Sequence, residues 1–442
     1  MHFLNAGKIL KSIIMIITVI ACVLELILKM SLKIYRHIVP TNWMRCPQTA
    51  RLFSALQGNI PQDEPQALFV GGCVRNALLQ RDVDDLDVAT PLCPEDVTEI
   101  LTAADIKVIP TGIKHGTVTA VMDARVFEIT TLRHDVETDG RHAVVRYTDS
   151  WIEDACRRDF TMNTLLMDLV GNIYDPLECG LDDLDARRVV FVGKAEQRIA
   201  EDHLRILRFF RFSALYANDF DVDGLHACAQ AADKITDLSK ERITQEFFKI
   251  IASEKPQDVL AVMFAHNVLK LFEFSDYNAD FLAQFCELQK RYNMVSLAPR
   301  LFVFVAMNFE NIKAMEELIL FPKVFLRDMR CIFDALSGDD LLCDSAVRES
   351  IYRFGRIPTA HALLIELAQE RVMDYYAPRA FDLIQKWDIP IFPLSGNDLL
   401  VAGIEKGPEL GQKLDALENY WIEQGFSPDR DALLEQLNSV PE

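Results

Sequence analysis

Two carboxylates one residue apart, Asp85 and Asp87, lie in the run Val83-Asp84-Asp85-Leu86-Asp87-Val88. In a strand, residues i and i+2 point to the same side. Carboxylates placed so close repel one another unless a cation lies between them. Two divalent ions ~3.5–4 Å apart are what in-line phosphoryl displacement uses, one at the attacking hydroxyl and one at the leaving group. A solvated acidic edge is the plain alternative, because Asp82 and Asp84 crowd the same stretch.

Three further groups have residue types suited to a nucleotide. Gly71-Gly72 follows the apolar run Ala67–Val70. Glycines there let the backbone approach a phosphate, with a helix start aimed at it. Arg75 can clamp a phosphate oxygen through its fork of donors. No Gly-Lys-Ser/Thr follows, so this is not a Walker A loop. Arg157 and Arg158 head the run RRDFTMN, where an arginine pair can bind triphosphate and Asn163 a sugar or phosphate oxygen. Asp202 and Arg205 stand three apart in EDHLRILRFFRF. On one helix they sit side by side, and a carboxylate with a guanidinium can read the edge of a base. Each group also has an ordinary explanation: a simple turn, a solvated helix end, an intrahelical salt bridge worth a few tenths of a kcal/mol. His203 reads as structural. His134-Asp135 is an isolated dipeptide without partner histidines.

The elements that must position these groups alternate at first. TARLFSAL at 49–56 has helical spacing, ALFVGG reads as a strand into a turn, VRNALLQ as a helix and VDDLDVAT as a strand. Strands are expected at 106–110, 117–122 and 125–130. The charged run 133–147 reads as a mobile loop. Residues 154–168 fit a helix, and 171–176 a turn into a strand that stops at proline. After residue 186 the pattern is helical: 195–216 as one helix with Arg205, Arg208 and Arg211 along one face, then 239–253 with Ser239 as N-cap. Helices continue over 255–385, and a proline-marked break at 388–393 precedes a short helix, a Gly-Pro turn and a longer helix.

The 442 residues suffice for two to four domains at ~100–200 each, and with half of them hydrophobic a substantial core can form. A formal charge of −20 disfavours tight, non-specific nucleic-acid binding, though a local arginine cluster can still serve a small polyanion. Ten cysteines are scattered without CxxC or zinc spacing, which points to free thiols in a reducing compartment, the cytoplasm. The apolar run at 13–24 is short for a span of ~20 residues. It is a signal-like segment, a helix lying on a membrane, or a stretch upstream of a translation start at Met30 or Met44. No membrane partner is expected unless residues 9–28 form an anchor.

Taken together, GGCVRN, DLDVAT, RRDFTMN, YDP…GLDDL, EDHLRILRFFRF and SKERITQE occur in an order that resembles the class II tRNA nucleotidyltransferase/poly(A) polymerase family, over about 67–253. The likeness resumes at 396–411. The resemblance implies an α+β protein: a nucleotidyltransferase-type α/β head at 49–186, a helical neck at 187–254 that recognises the base, and a helical body and tail at 255–442 for tRNA. Residues 1–48 precede the resemblance and read as an apolar N-terminal extension, outside the working protein if translation starts downstream. It implies addition of CCA to the 3′ end of tRNA from CTP and ATP, with pyrophosphate released. A poly(A) polymerase or a CC-adding enzyme are the alternatives within the family, and a catalytically inactive RNA-binding protein the alternative outside it. The C-terminus lacks the basic extension of the poly(A) polymerases, and the 133–147 segment matches the loop needed to switch from C to A. Residue by residue, the implied metal carboxylates are Asp85 and Asp87, holding two Mg2+ ions. The phosphate contacts are Gly72, Arg75 and Arg158. Asp202 and Arg205 are the base readers, with Arg208 and Arg211 as further nucleotide contacts. The partner is the tRNA acceptor arm, not DNA. Two positions depart from the family pattern, Asn76 in place of Asp and Thr164 in place of Ala.

Overall fold

The computed structural model describes residues 32–113, 116–123, 125–139, 142–272, 277–338 and 341–437. The apolar run at 13–24 lies outside them. Among the described residues no helix is long and apolar enough to cross a membrane. The chain divides into two compact units, one running to Glu246 and including His266–Leu271, the other comprising Phe247–Ala265 and Phe272 onward.

The first unit is built on an eight-stranded sheet. In chain order its strands are β1 (Ile34–His37), β2 (Leu68–Val70), β3 (Leu86–Thr90), β4 (Lys107–Gly112), β5 (Thr117–Met122) and β6 (Arg125–Thr131), then β9 (Leu166–Met167) and β10 (Asn172–Tyr174). Their spatial order is β1-β10-β9-β2-β3-β6-β5-β4. β3 and β6 run parallel, and the other neighbours run antiparallel. β2 is buried throughout, as its unbroken Leu-Phe-Val suggests for a central strand. β6 alternates, with Phe127 and Ile129 inward and Val126 and Glu128 exposed. The α+β class is therefore as expected, with helices following the sheet.

Several local expectations are corrected. β1 and the helix Asn42–Arg45 precede residue 49 and belong to the head. Trp43 meets Phe69 edge-on at 4.8 Å, and Met44 is buried. Tyr35 donates to Glu178, and Arg36 makes a paired bond to Asp185. The backbone of Ile38 donates to Gly171, whose φ of 91° and contact with the Ile38 carbonyl leave no room for a Cβ. The sheet thus begins N-terminal of the expected boundary.

The run 133–147 is a hairpin of β7 (Arg133–Asp139) and β8 (His142–Tyr147), not a loop. The ladder pairs Arg133 with Tyr147 and Asp139 with His142, a register that the polarity of the run obscures in the sequence. The expected helix at 154–168 stops after Trp151–Cys156. Phe160 is extended and bridges Phe191, Thr161 donates to Val190 and Val192 donates to Asp159, so pairing with 190–192 replaces helical bonds. The expected helix at 195–216 is two, Ala195–Glu201 and Leu204–Tyr216. Asp202 is extended at φ −155° and its carboxylate accepts from the Leu204 amide, in competition with the helix ladder. The helix Lys240–Ile251 forms as expected, but the buried Ser239 hydroxyl has no hydrogen-bond partner among the described residues and is no side-chain cap.

The second unit is helical. Thr359–Ala368 of the helix Arg356–Ala368 is buried on every side, which marks it as the centre of that unit. Near its C-terminal end Leu399, Leu417, Trp421 and Leu433 form a separate cluster, entered through a Ser395/Asp398 capping box.

Candidate active site

One cleft of about 580 Å3 in the first unit brings together every site residue singled out from the sequence: Gly72, Arg75, Asp85, Asp87, Arg158, Asn163, Asp202, Arg205, Arg208 and Arg211. Gly71, Arg157, Asp159, Phe212 and Arg242 also line it.

The floor is the end of β2 and the start of β3. Gly71 has φ 71° and ψ −119°, a conformation that a side chain resists, and it turns the chain directly into the helix Gly72–Leu78. Asp87 lies within β3, whereas Asp85 precedes the strand and is exposed. The two acids are close, but the strand geometry expected for both holds for Asp87 alone. Burial pushes the Asp87 carboxyl up to about 6, with Glu128 and Asp85 adding repulsion and Arg158 opposing it. Glu128 is the residue paired with Asp87 across the parallel β3–β6 ladder. Sequence reading passed over it, although its exposed place in an alternating strand was a usable signal.

The acids fit a divalent cation. Among the described residues neither the Asp85 nor the Asp87 side chain has a hydrogen-bond or ion-pair partner, and the Asp87 charge is costly without one. No cluster of three or more His, Cys, Asp or Glu ligands occurs among the described residues. Magnesium does not require such a cluster, because it is commonly held by one or two carboxylates together with substrate phosphates and water.

Arg75 is buried, and most of its donors are engaged. Nη1 donates to Asn163 at 2.6 Å, Nη2 to the Tyr216 hydroxyl at 2.8 Å, and Nε and Nη2 to Asn76 Oδ1. Its guanidinium also lies over the Tyr216 ring at 4.1 Å. Asn76 thus holds Arg75 with one carbonyl oxygen, so an Asp is not needed there. Asn163 lines the cleft and links two of its residues, accepting from Arg75 and donating to Asp159.

The opposite wall is basic, and its arginines are held by acids. Arg157 and Arg158 both bond to the buried Asp154. Arg208 makes a two-pronged bond to Asp159 Oδ2, and Arg211 bonds Glu246 at 2.5 Å. Burial alone would raise the Asp159 carboxyl. Arg208 and the bonds from Asn163 and the Phe160 amide outweigh it and hold the group below its ordinary value.

Asp202 and Arg205 both face the cleft but are not an ion pair with each other. Asp202 Oδ2 accepts from Arg242 at 2.7 Å. Arg205 Nη1 donates to Glu201 at 2.7 Å and to the Arg198 carbonyl, and Nη2 to the Arg157 carbonyl. The helix break therefore separates the two residues that helical spacing would have set on one face. Arg242 was not singled out in the sequence, since its partner Asp202 lies forty residues away, in the break between two helices.

Residues 67–190 match the family model described as Poly A polymerase head domain, and residues 220–275 one described as probable RNA and SrmB- binding site of polymerase A. The chain is 32% identical over 413 residues to CCA tRNA nucleotidyltransferase 1, mitochondrial, of Mus musculus, covering 90% of this chain and 93% of the relative. It is 34% identical over 384 residues to the Homo sapiens protein of the same name, covering 84% and 86%. The solved Bacillus stearothermophilus CCA-adding enzyme in complex with CTP superposes with a TM-score of 0.67 at 25% identity, covering 89% of this chain and 96% of that one. The fold is also that of the Thermotoga maritima CCA-adding enzyme complexed with tRNA_CCA, with a TM-score of 0.65 at 18% identity over 92% and 99%.

Proposed function

Because the chain belongs to the CCA-adding tRNA nucleotidyltransferase family, we infer that it adds C, C and A to the 3′ end of tRNA from CTP and ATP, releasing pyrophosphate at each step. The observation that carries this is the cleft itself. A glycine turn, an acid pair, a wall of arginines and the Asp202/Arg205 pair share one space of a size suited to a nucleotide.

Asp85 and Asp87 would hold the divalent ions, with Glu128 beside Asp87 as a further carboxylate. Such ions, when bound, stabilise the attacking and leaving oxygens of the displacement. Arg158 and Arg157 receive the triphosphate as charge-assisted donors. Arg75 and Asn163 keep the glycine turn, Asp159 and Tyr216 in register. Asp202 reads the amino group that cytosine and adenine share, and Arg205 donates to the adjoining ring nitrogen. Uracil and guanine present a carbonyl where that amino group would be, and it would face the carboxylate. Protein groups thereby do the work of a template. The compartment we propose is the reducing cytoplasm, on the scattered, unmotifed cysteines.

The stoichiometry of pyrophosphate tests this. A tRNA lacking its 3′ CCA should release three pyrophosphates when CTP and ATP are both supplied, and two with CTP alone. Continued release with ATP alone would contradict the proposed product.

A further inference from the structure

Asp154 does not line the cleft, yet it organises two of the arginines that do. Its side chain is 4% exposed. Oδ1 accepts from Arg157 Nε at 2.8 Å and Nη2 at 2.6 Å, and Oδ2 from Arg158 Nε at 3.1 Å and Nη2 at 2.7 Å. Each guanidinium is thus gripped along its Nε–Nη2 edge, which leaves Nη1 outward. For Arg158 that outward nitrogen lies beside the glycine turn, 3.7 Å from where a Cβ on Gly71 would stand. A fifth bond reaches Asp154 Oδ1 from the backbone amide of Arg133 at 3.3 Å. Arg133 opens β7, so the foot of the hairpin is fixed to the same carboxylate. Burial works against this charge, and the two guanidiniums outweigh it to hold the carboxyl below its ordinary range.

We propose that Asp154 is a positioning residue that presents Arg157 and Arg158 to the nucleotide triphosphate and joins them to the foot of the β7–β8 hairpin. The inference rests on Arg158 being a triphosphate contact. One carboxylate shared by two cations and a backbone amide makes the phosphate wall and the hairpin a single mechanical unit. Ordering the guanidiniums on a phosphate orders Asp154, and with it the Arg133 amide.

D154N keeps the shape of the side chain but loses its charge and one acceptor oxygen, so it grips only one of the two guanidiniums well. In the full chain, D154N is expected to raise KM for CTP and for ATP about tenfold, with kcat within about twofold. Amide exchange over 133–147 should slow when CTP binds the natural protein and be insensitive to CTP in D154N. R158A, assayed beside it, separates the premise from the inference. Unchanged KM in R158A overturns the triphosphate assignment. Raised KM in R158A with natural KM in D154N overturns the role of Asp154 alone. A lowered kcat at natural KM in D154N marks a merely structural residue, and CTP-dependent exchange that persists in D154N overturns the link to the hairpin. Should D154N not fold, D154E keeps the charge but displaces it by one methylene, and the same KM and exchange criteria apply.

Discussion

Asp202 is held from two sides: Arg242 donates to its Oδ2 at 2.7 Å and the Leu204 amide to its Oδ1 at 3.1 Å. A carboxylate has room for further donors, so the exocyclic amino group of a base can join Arg242 without displacing it. The carboxylate is thereby oriented before the nucleotide arrives. D202A should lose discrimination more than it loses rate, with UTP or GTP misincorporation rising about tenfold to a hundredfold, the range of one bidentate contact. R205A should weaken CTP and ATP alike. It should also lower Tm, because Glu201 and two carbonyls lose a donor. The measurement is kcat/KM for each of the four nucleotides on matched tRNA ends. Unchanged ranking and rates in D202A would remove the base-reading role.

D85A and D87A should each reduce nucleotide addition by on the order of 10²–10³-fold or more, as for loss of a group that stabilises transition-state charge. Their folds should survive. Turnover like that of the natural protein from either variant would sink the two-carboxylate assignment.

The raised Asp87 carboxyl gives a stability effect of definite sign. Burial, with Glu128 beside it, lifts the Asp87 carboxyl from the ordinary 3.8 to about 6. The contribution to stability is therefore fully present below the unfolded value and is lost as pH rises through the folded one. D87N, which cannot ionise, should gain in Tm relative to the natural protein as pH rises from about 4 to about 7. Thermal melts with a chelator across that window check it. A Tm difference that stays flat with pH would contradict the buried, repelled carboxylate.

A chain beginning at Met44 lacks β1 and the bonds from Tyr35 and Arg36 to Glu178 and Asp185. Relative to one beginning at Leu32, it should be less stable by on the order of 1–3 kcal/mol. The pairing of β1 with β10 places Ile34–His37 in the head sheet, ahead of residue 49. Equal urea midpoints for the two chains would contradict this contribution.

Much of the site was legible because its residues are set by local chemistry. The apolar run ending in Gly71-Gly72 reads as a strand into a turn, and Asp85 and Asp87 gain a cation reading over a solvated edge only when taken with the other motifs in order. What escaped depends on partners distant in the chain. The 154–168 helix yields to Phe160 pairing with Phe191, which no local pattern announces. The break at Asp202 arises because an aspartate can serve as its own acceptor near a helix start, and the flanking sequence is helical on both sides. Residue type and spacing read Arg75 and Asn163 as contacts of a phosphate or sugar. Both are chiefly engaged with protein groups, because the residues that occupy them, Asn76, Asp159 and Tyr216, come from three separate segments. Asp154 drew no notice, since a buried acid beside two arginines reads as an ordinary helical salt bridge until its fifth donor is seen.

The central claim, CCA addition without a template, is tested most directly by the sequence of the product. The protein is incubated with a tRNA transcript that lacks its 3′ CCA, with CTP, ATP, or both, and the 3′ ends are sequenced. The account requires ends in CC with CTP alone, no extension with ATP alone, and a halt at CCA when both are present. A run of A residues, or ends that stop at CC with both nucleotides present, would contradict it.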